Sequence, residues 1–263
     1  MTLHRNNASA DVLPALLDWV RDLDLLGVRW LRLHLLEVDH PAVRDKYALS
    51  MQENIDALRA FAALRPALTR LRIDLFDDMR AMLLGDDAGT TCVWNACDPY
   101  TTRAVRGVEG NGVRSNCGRT NKDGIDFVKA DREGFERYLA LYATPQASGG
   151  CQGCRFFLMC KGQCPGTAID GDWRNRTEHC EVWKALFADI EDELQKAGRQ
   201  PLSLSDERPG LERAVVASWM ANRQTTLRAQ INAAADATPA AMPAWRRRLH
   251  RLPDTLRGAA RHA

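Results

Sequence analysis

Apolar residues recur at helical spacing near the start of the chain, at Val12, Leu16, Val20, Leu23 and Leu26. They predict an amphipathic helix over 11–26, which Gly27 ends. The stretch 28–38 alternates imperfectly at Val28, Trp30, Leu31, Leu33 and Leu35 and reads as a buried strand. Helix, glycine and strand in that order make half of a βα unit. Ser50 with Glu53 three residues later forms a capping box, opening a helix that runs to 64. Residues 68–76 fit either a further strand or the start of a helix reaching 84. Periodicity then lapses, and 90–117 reads as loops in which Gly107, Gly110 and Gly112 permit tight turns. Asp131 caps a helix over 131–142 with Phe135, Leu139 and Tyr142 on one face. Residues 146–150 are a flexible connection. Thr177 is placed as the N-cap of a helix to 197, anchored by Trp173, Trp183, Leu186, Phe187 and Ile190. Leu211, Ala214, Val215 and Trp219 form the stripe of a last helix over 211–233.

Composition narrows the class. The 263 residues are 45% hydrophobic and 27% charged, as expected of one or two globular domains. A net charge of only +2 gives no support to a nucleic-acid partner. No apolar run is long enough to span a bilayer, and residues 1–10 are too polar for a secretory signal, so the expected home is the cytoplasm. After an Ala/Pro-rich linker over 233–243, the segment 244–263 is basic, with Arg246, Arg247, Arg248, Arg251, Arg257 and Arg261. It reads as a solvated tail or a contact for an anionic partner.

The chemistry lies in the cysteines. Cys151, Cys154, Cys160, Cys164 and Cys180 follow the spacing C-x2-C-x5-C-x3-C-x15-C, and Cys92, Cys97 and Cys117 complete the eight. Clustering of this kind reads as metal ligation, and eight divides into two sets of four. Gly153 eases the C-x2-C turn, and Gly162 lies in the C-x3-C step. Thiolates ligate iron–sulfur clusters and structural zinc, while an even count also permits disulfides. The reducing cytoplasm and a chain long enough to form a core argue against disulfides. Phe156, Phe157, Leu158 and Met159, between Cys154 and Cys160, would exclude water from a bound cluster.

Taken whole, Cys97-x14-Gly112-x4-Cys117, then C-x2-C-x5-C-x3-C, then Cys180, resembles the SPASM domain. That domain follows the barrel in radical S-adenosylmethionine (radical SAM) enzymes that modify peptides and proteins. Cys92 adds an eighth cysteine, as in sulfatase-maturing members with two fully ligated auxiliary [4Fe–4S] clusters. Position by position, the resemblance implies that Cys92, Cys97, Cys117 and Cys164 hold the first cluster. Cys151, Cys154, Cys160 and Cys180 would hold the second. It implies an α/β to α+β architecture in three parts. Residues 1–88 would be the C-terminal βα units of a partial (β/α)6 barrel, 89–200 the SPASM domain and 201–263 a helical, basic extension. Within the first part, 33–39 resembles the sixth strand and 2–8 the end of the fifth, where Asn6 or Asn7 would lie near the cofactor.

The sequence also departs from the family. In that chemistry a reduced cluster, held by C-x3-C-x2-C, cleaves S-adenosylmethionine, and the radical formed abstracts hydrogen from the substrate. No such motif is present: Cys160-x3-Cys164 is followed by Thr167 where the third cysteine is needed. S-adenosylmethionine and a third cluster are therefore expected only with a complete barrel. The chain reads as the C-terminal part of a larger enzyme, a truncated gene product, or a half that docks on a separate barrel. Gly118 replaces the aspartate base of sulfatase-maturing relatives, and no catalytic residue is assigned. Arg114 and Arg119 flank Cys117 and are candidates for pairing with cluster charge or a substrate carboxylate. His179 adjoins Cys180 as a candidate donor near the second cluster. The expected function is support of electron transfer and binding of a peptide or protein substrate. The alternatives are a non-catalytic electron-transfer or peptide-recognition module, working with a separate radical SAM protein or reductase, and a zinc-stabilised binding protein.

Overall fold

The computed structural model describes residues 1–236 except 39, 96, 99, 100, 102–104, 106, 116, 118 and 120–132. Asp39, Gly118, Asp131 and the basic segment 244–263 therefore lie outside the described residues.

The front of the chain makes short parallel strands joined by helices. β1 (Thr2–Leu3) pairs in parallel with β3 (His34–Leu35), and β2 (Trp30–Leu31) pairs in parallel with β4 (Arg72–Ile73). Parallel neighbours need a crossover. The crossovers here contain α2 (Leu13–Leu25) and α4 (Met51–Leu64). The expected strand over 28–38 thus pairs at two short places. Leu31, Leu33 and Leu35 point inward, whereas Trp30 is 65% exposed. Leu26, expected on the inner face of the first helix, is 80% exposed because α2 stops at Leu25 and Leu26 becomes its C-cap. Residues 2–8 form β1 and then one helical turn, α1 (Arg5–Ala8). The Asn7 side chain is used locally there, accepting from the His4 amide and donating to the Thr2 carbonyl.

Ser50 and Glu53 form the expected capping box of α4. Both readings of 68–76 hold in part, since β4 leads directly into α5 (Asp74–Leu83). Asp24 fixes that strand's position. Its carboxylate accepts from the amides of Thr69, Arg70 and Leu71 at 2.9, 2.7 and 2.6 Å. These bonds, led by those from Thr69 and Leu71, hold its pKa down at about 2.

Further along, β5 (Gly107–Val108) and β6 (Arg114–Ser115) form an antiparallel hairpin. Of its glycines Gly112, at φ +83°, takes the left-handed conformation. Two segments differ from expectation. α6 is Glu136–Ala143 and buries Arg137, Tyr138 and Leu141, with Phe135 buried at its N-cap, so the inward face is turned from the one expected. The helix expected over 211–233 is two, α9 (Arg208–Met220) and α10 (Leu227–Asp236). The break falls at Asn222, which is left-handed at φ +52°, and Thr226 caps the restart by accepting from the Ala229 amide.

α8 (Cys180–Lys196) is the central helix. It packs against α4 and α5 and presents Trp183, Leu186, Phe187 and Ile190 to a core whose members run from Leu3 to Leu227. Among the described residues, no helix is long and apolar enough to cross a membrane.

Candidate metal centre

Residues 160–164 divide the cysteines. α7 (Phe157–Cys160) ends, and Lys161, Gly162 and Gln163 all take left-handed backbone at φ +49°, +72° and +59°. On a continued helix, residues four apart such as Cys160 and Cys164 would share one face. The left-handed turn breaks that relation and sends them to different neighbours. Such backbone is unfavourable for Lys and Gln, so the fold must hold it in place. Lys161, 4% exposed, donates to Asp87 at 3.3 Å and to the Trp94 carbonyl at 3.1 Å. Gln163 folds back to accept from the Cys164 amide at 2.7 Å, and its carbonyl accepts from Arg137.

The eight thiols form two neighbourhoods. Burial pushes Cys97 up to about 12, with further increments from Cys164, Cys117 and Cys92. Burial likewise pushes Cys151 up to about 12, with Cys154 and Cys180 adding to it. Cys160 is also raised, by burial and then by Cys151, Cys180 and Cys154. Cys164 is raised by burial, while Arg119 opposes the shift and Cys117 adds to it. The structure therefore brings together Cys92, Cys97, Cys117 and Cys164 in one region and Cys151, Cys154, Cys160 and Cys180 in another. None of the eight cysteines forms a disulfide.

Each group borders a cavity. Cys151, Cys154, Cys160 and Cys180 line one of about 320 Å3, counted out to its mouth, walled by Phe156, Phe157, Trp183 and Phe187. Cys92 and Cys117 line a larger one of about 830 Å3, also counted to its mouth, that reaches His34 and Leu35 on β3. Among the described residues, no three His, Cys, Asp or Glu side chains converge tightly enough to hold a single metal ion.

Cations and unpaired donors surround these sulfurs. Arg137 is fully buried on α6 and acts electrostatically on both Cys97 and Cys151. It donates to the carbonyls of Trp173, Asn175 and Gln163 at 2.6, 3.0 and 3.3 Å, tying together the loops that carry the cysteines. Lys184 and Arg176 both favour the Cys180 thiolate, against the burial that raises it. Among the described residues, Trp94 Nε1, Trp183 Nε1, Arg176 Nε and His179 Nε2 are buried without a hydrogen-bond partner, and all four residues line the two cavities. A buried N–H without an acceptor is costly. The two indole N–H groups and the Arg176 Nε–H fit negatively charged acceptors in these cavities.

No family model, curated protein or solved structure matches this chain.

Several expected site residues sit elsewhere than foreseen. α8 starts at Cys180 with His179 as N-cap, because the Thr177 backbone bridges Ala168 and donates to the Gly162 carbonyl at 3.0 Å; the Thr177 hydroxyl still accepts from the His179 amide. Cys180 is thus the first residue of the helix, beside its positive end. His179 borders the cavity of Cys92 and Cys117, not that of Cys180. Arg114 is exposed on the hairpin, while Arg119 stays beside the first group, ion-paired with Glu37 and acting on Cys164 and Cys117. Trp173 is half-buried at a loop. Arg137, Arg176, Lys184 and Trp94 were missed by the sequence reading. The available signals were Lys184 one helical turn after Cys180 and Trp94 two residues after Cys92.

Proposed function

We propose that this chain is the iron–sulfur-binding, SPASM-type portion of a radical SAM enzyme that modifies a peptide or protein. Cys92, Cys97, Cys117 and Cys164 would hold one [4Fe–4S] cluster, and Cys151, Cys154, Cys160 and Cys180 the other. The observation that carries this reading is the parting of Cys160 from Cys164 at the left-handed turn, with two groups of four thiols on either side. The parallel pairing of residues 2–3 with 34–35, through a helical crossover, supports a barrel-derived front part.

Bound clusters would supply one-electron storage and transfer. The chain's own contribution is to hold thiolates, exclude water and place positive charge. Phe156, Phe157, Leu158 and Met159 are all buried, and Phe156 and Phe157 wall the cavity of the second set. Arg137, Arg176, Lys184 and Arg119 offset the charge of buried thiolates. The cavity beside Cys92 and Cys117 is the candidate place for a peptide segment.

Zinc and a four-iron cage ask different spacings of their sulfurs. Tetrahedral zinc draws its four sulfurs to about 3.8 Å of one another. In a four-iron cage each cysteine has its own iron, so the sulfurs stand further apart. Anaerobic reconstitution of the whole chain tests the assignment. About eight iron and eight sulfide per chain are expected; two zinc ions without sulfide would replace it with the zinc-stabilised reading. The missing C-x3-C-x2-C favours a chain that cannot start the reaction itself. Mixed with dithionite and S-adenosylmethionine, it should form no 5′-deoxyadenosine unless a barrel carrying that motif is added. Turnover by this chain alone would overturn the division of labour.

A further inference from the structure

Two of the orphaned donors belong to tryptophans that touch each other. The Trp94 and Trp183 rings meet edge to face, centroids 5.8 Å apart and planes at 83°. They are 0% and 4% exposed, and neither indole N–H has a partner among the described residues. An indole nitrogen can only donate, so the missing partner must be an acceptor. Trp94 lies in the same short turn as Cys92, and Trp183 is one turn along α8 from Cys180. Trp94 lines the cavity of Cys92 and Cys117, whereas Trp183 lines both cavities. The pair is therefore the wall between the two groups of thiols. Phe187 backs it, with its ring 5.7 Å from Trp94 and stacked on Phe156 at 5.2 Å.

We propose that these two indoles tune the two metal sites separately. Trp94 Nε1–H donates to sulfur at the site of Cys92, and Trp183 Nε1–H to sulfur at the site of Cys180. This rests on the iron–sulfur reading above. A hydrogen bond to cluster sulfur stabilises the more electron-rich, reduced state, so each donor raises the reduction potential of its own site.

Trp94→Phe and Trp183→Phe keep an aromatic wall and delete only the donor ring. Both would be reconstituted as whole chains, assayed for iron and sulfide, and titrated with dithionite under electron paramagnetic resonance. Cys97→Ser and Cys151→Ser assign the signals to sites. With metal content unchanged, Trp94→Phe is expected to move the first site's midpoint to more negative potential and leave the second in place. Trp183→Phe is expected to do the reverse. Full iron with either partner midpoint unmoved, or moved to more positive potential, overturns the proposal. Should either variant fail to fold, wild-type protein with 15N-labelled indoles decides: pulsed resonance should detect nitrogen coupling at both reduced sites, and its absence at either overturns the proposal. Wild-type protein that takes up no iron and sulfide removes the iron–sulfur reading itself, before any variant is made.

Discussion

Arg137 concentrates several constraints in one side chain. It is fully buried, and its guanidinium closes three backbone carbonyls from the loops around the cysteines. Arg137→Met would leave those carbonyls buried without donors, at a cost of about 3 kcal/mol. Urea unfolding of the metal-free chain should register that loss. The thiols give a second prediction. Burial first, then neighbouring thiols, raises Cys97 and Cys151 from 9.0 to about 12. The unfolded chain releases these protons more readily, so folded stability is fully present below pH 9 and lost as pH rises towards 12. Melting temperatures of the metal-free chain should fall across that window, and less steeply once both cysteines are replaced by serine. Metal binding needs thiolates, so cluster assembly should release protons at neutral pH.

At the scale of an element, the turn between α7 and Cys164 decides which sulfur goes where. Gly162 combines φ +72° with a site where an added Cβ would lie 2.5 Å from Leu141 Cδ1. Gly153 shares φ +72° but has open space around it. Gly162→Ala should therefore cost more than the roughly 1–2 kcal/mol of left-handed strain alone, and Gly153→Ala about that strain. Because the first turn carries Cys160 and Cys164, Gly162→Ala should lower iron at both sites. Gly153→Ala should affect only the second. Equal iron loss in the two variants would contradict the crossing. α8 shows a similar economy: its first residue is Cys180, its next inward residues are Val182 and Trp183, and Leu186, Phe187, Ile190 and Leu194 carry the same face into the core.

For the whole molecule, the region of the eight thiols rests on the strand-and-helix front. α4 packs along α8, and Arg59–Asp189 and Arg44–Glu178 ion pairs tie the same two regions together. Those pairs are substantially exposed, and each contributes at most about 1 kcal/mol. Apolar packing dominates. Phe61 on α4 is fully buried, and Phe61→Ala should cost about 3–5 kcal/mol and reduce cluster loading, whereas Arg59→Ala should leave iron content unchanged. Chemical unfolding together with iron assays separates the two outcomes.

The sequence by itself determined what depends on neighbours along the chain. The Ser50–Glu53 box, the Gly27 stop, the tight turn at Gly112 and the apolar face of α8 are local effects of capping, backbone freedom and periodicity. The cysteine spacing likewise singled out the segment 92–180 from the rest of the chain. Tertiary structure decided what depends on distant partners. Thr177 stands outside α8 because its backbone bridges Ala168 and donates to Gly162, α6 turned its inward face, and a single predicted helix broke at a left-handed Asn222. The same holds for the cations and indole donors around the sulfurs. Arg137 and Trp94 are ordinary letters in the chain; only the fold buries them, setting the one on three distant carbonyls and leaving the indole N–H of the other without a partner among the described residues.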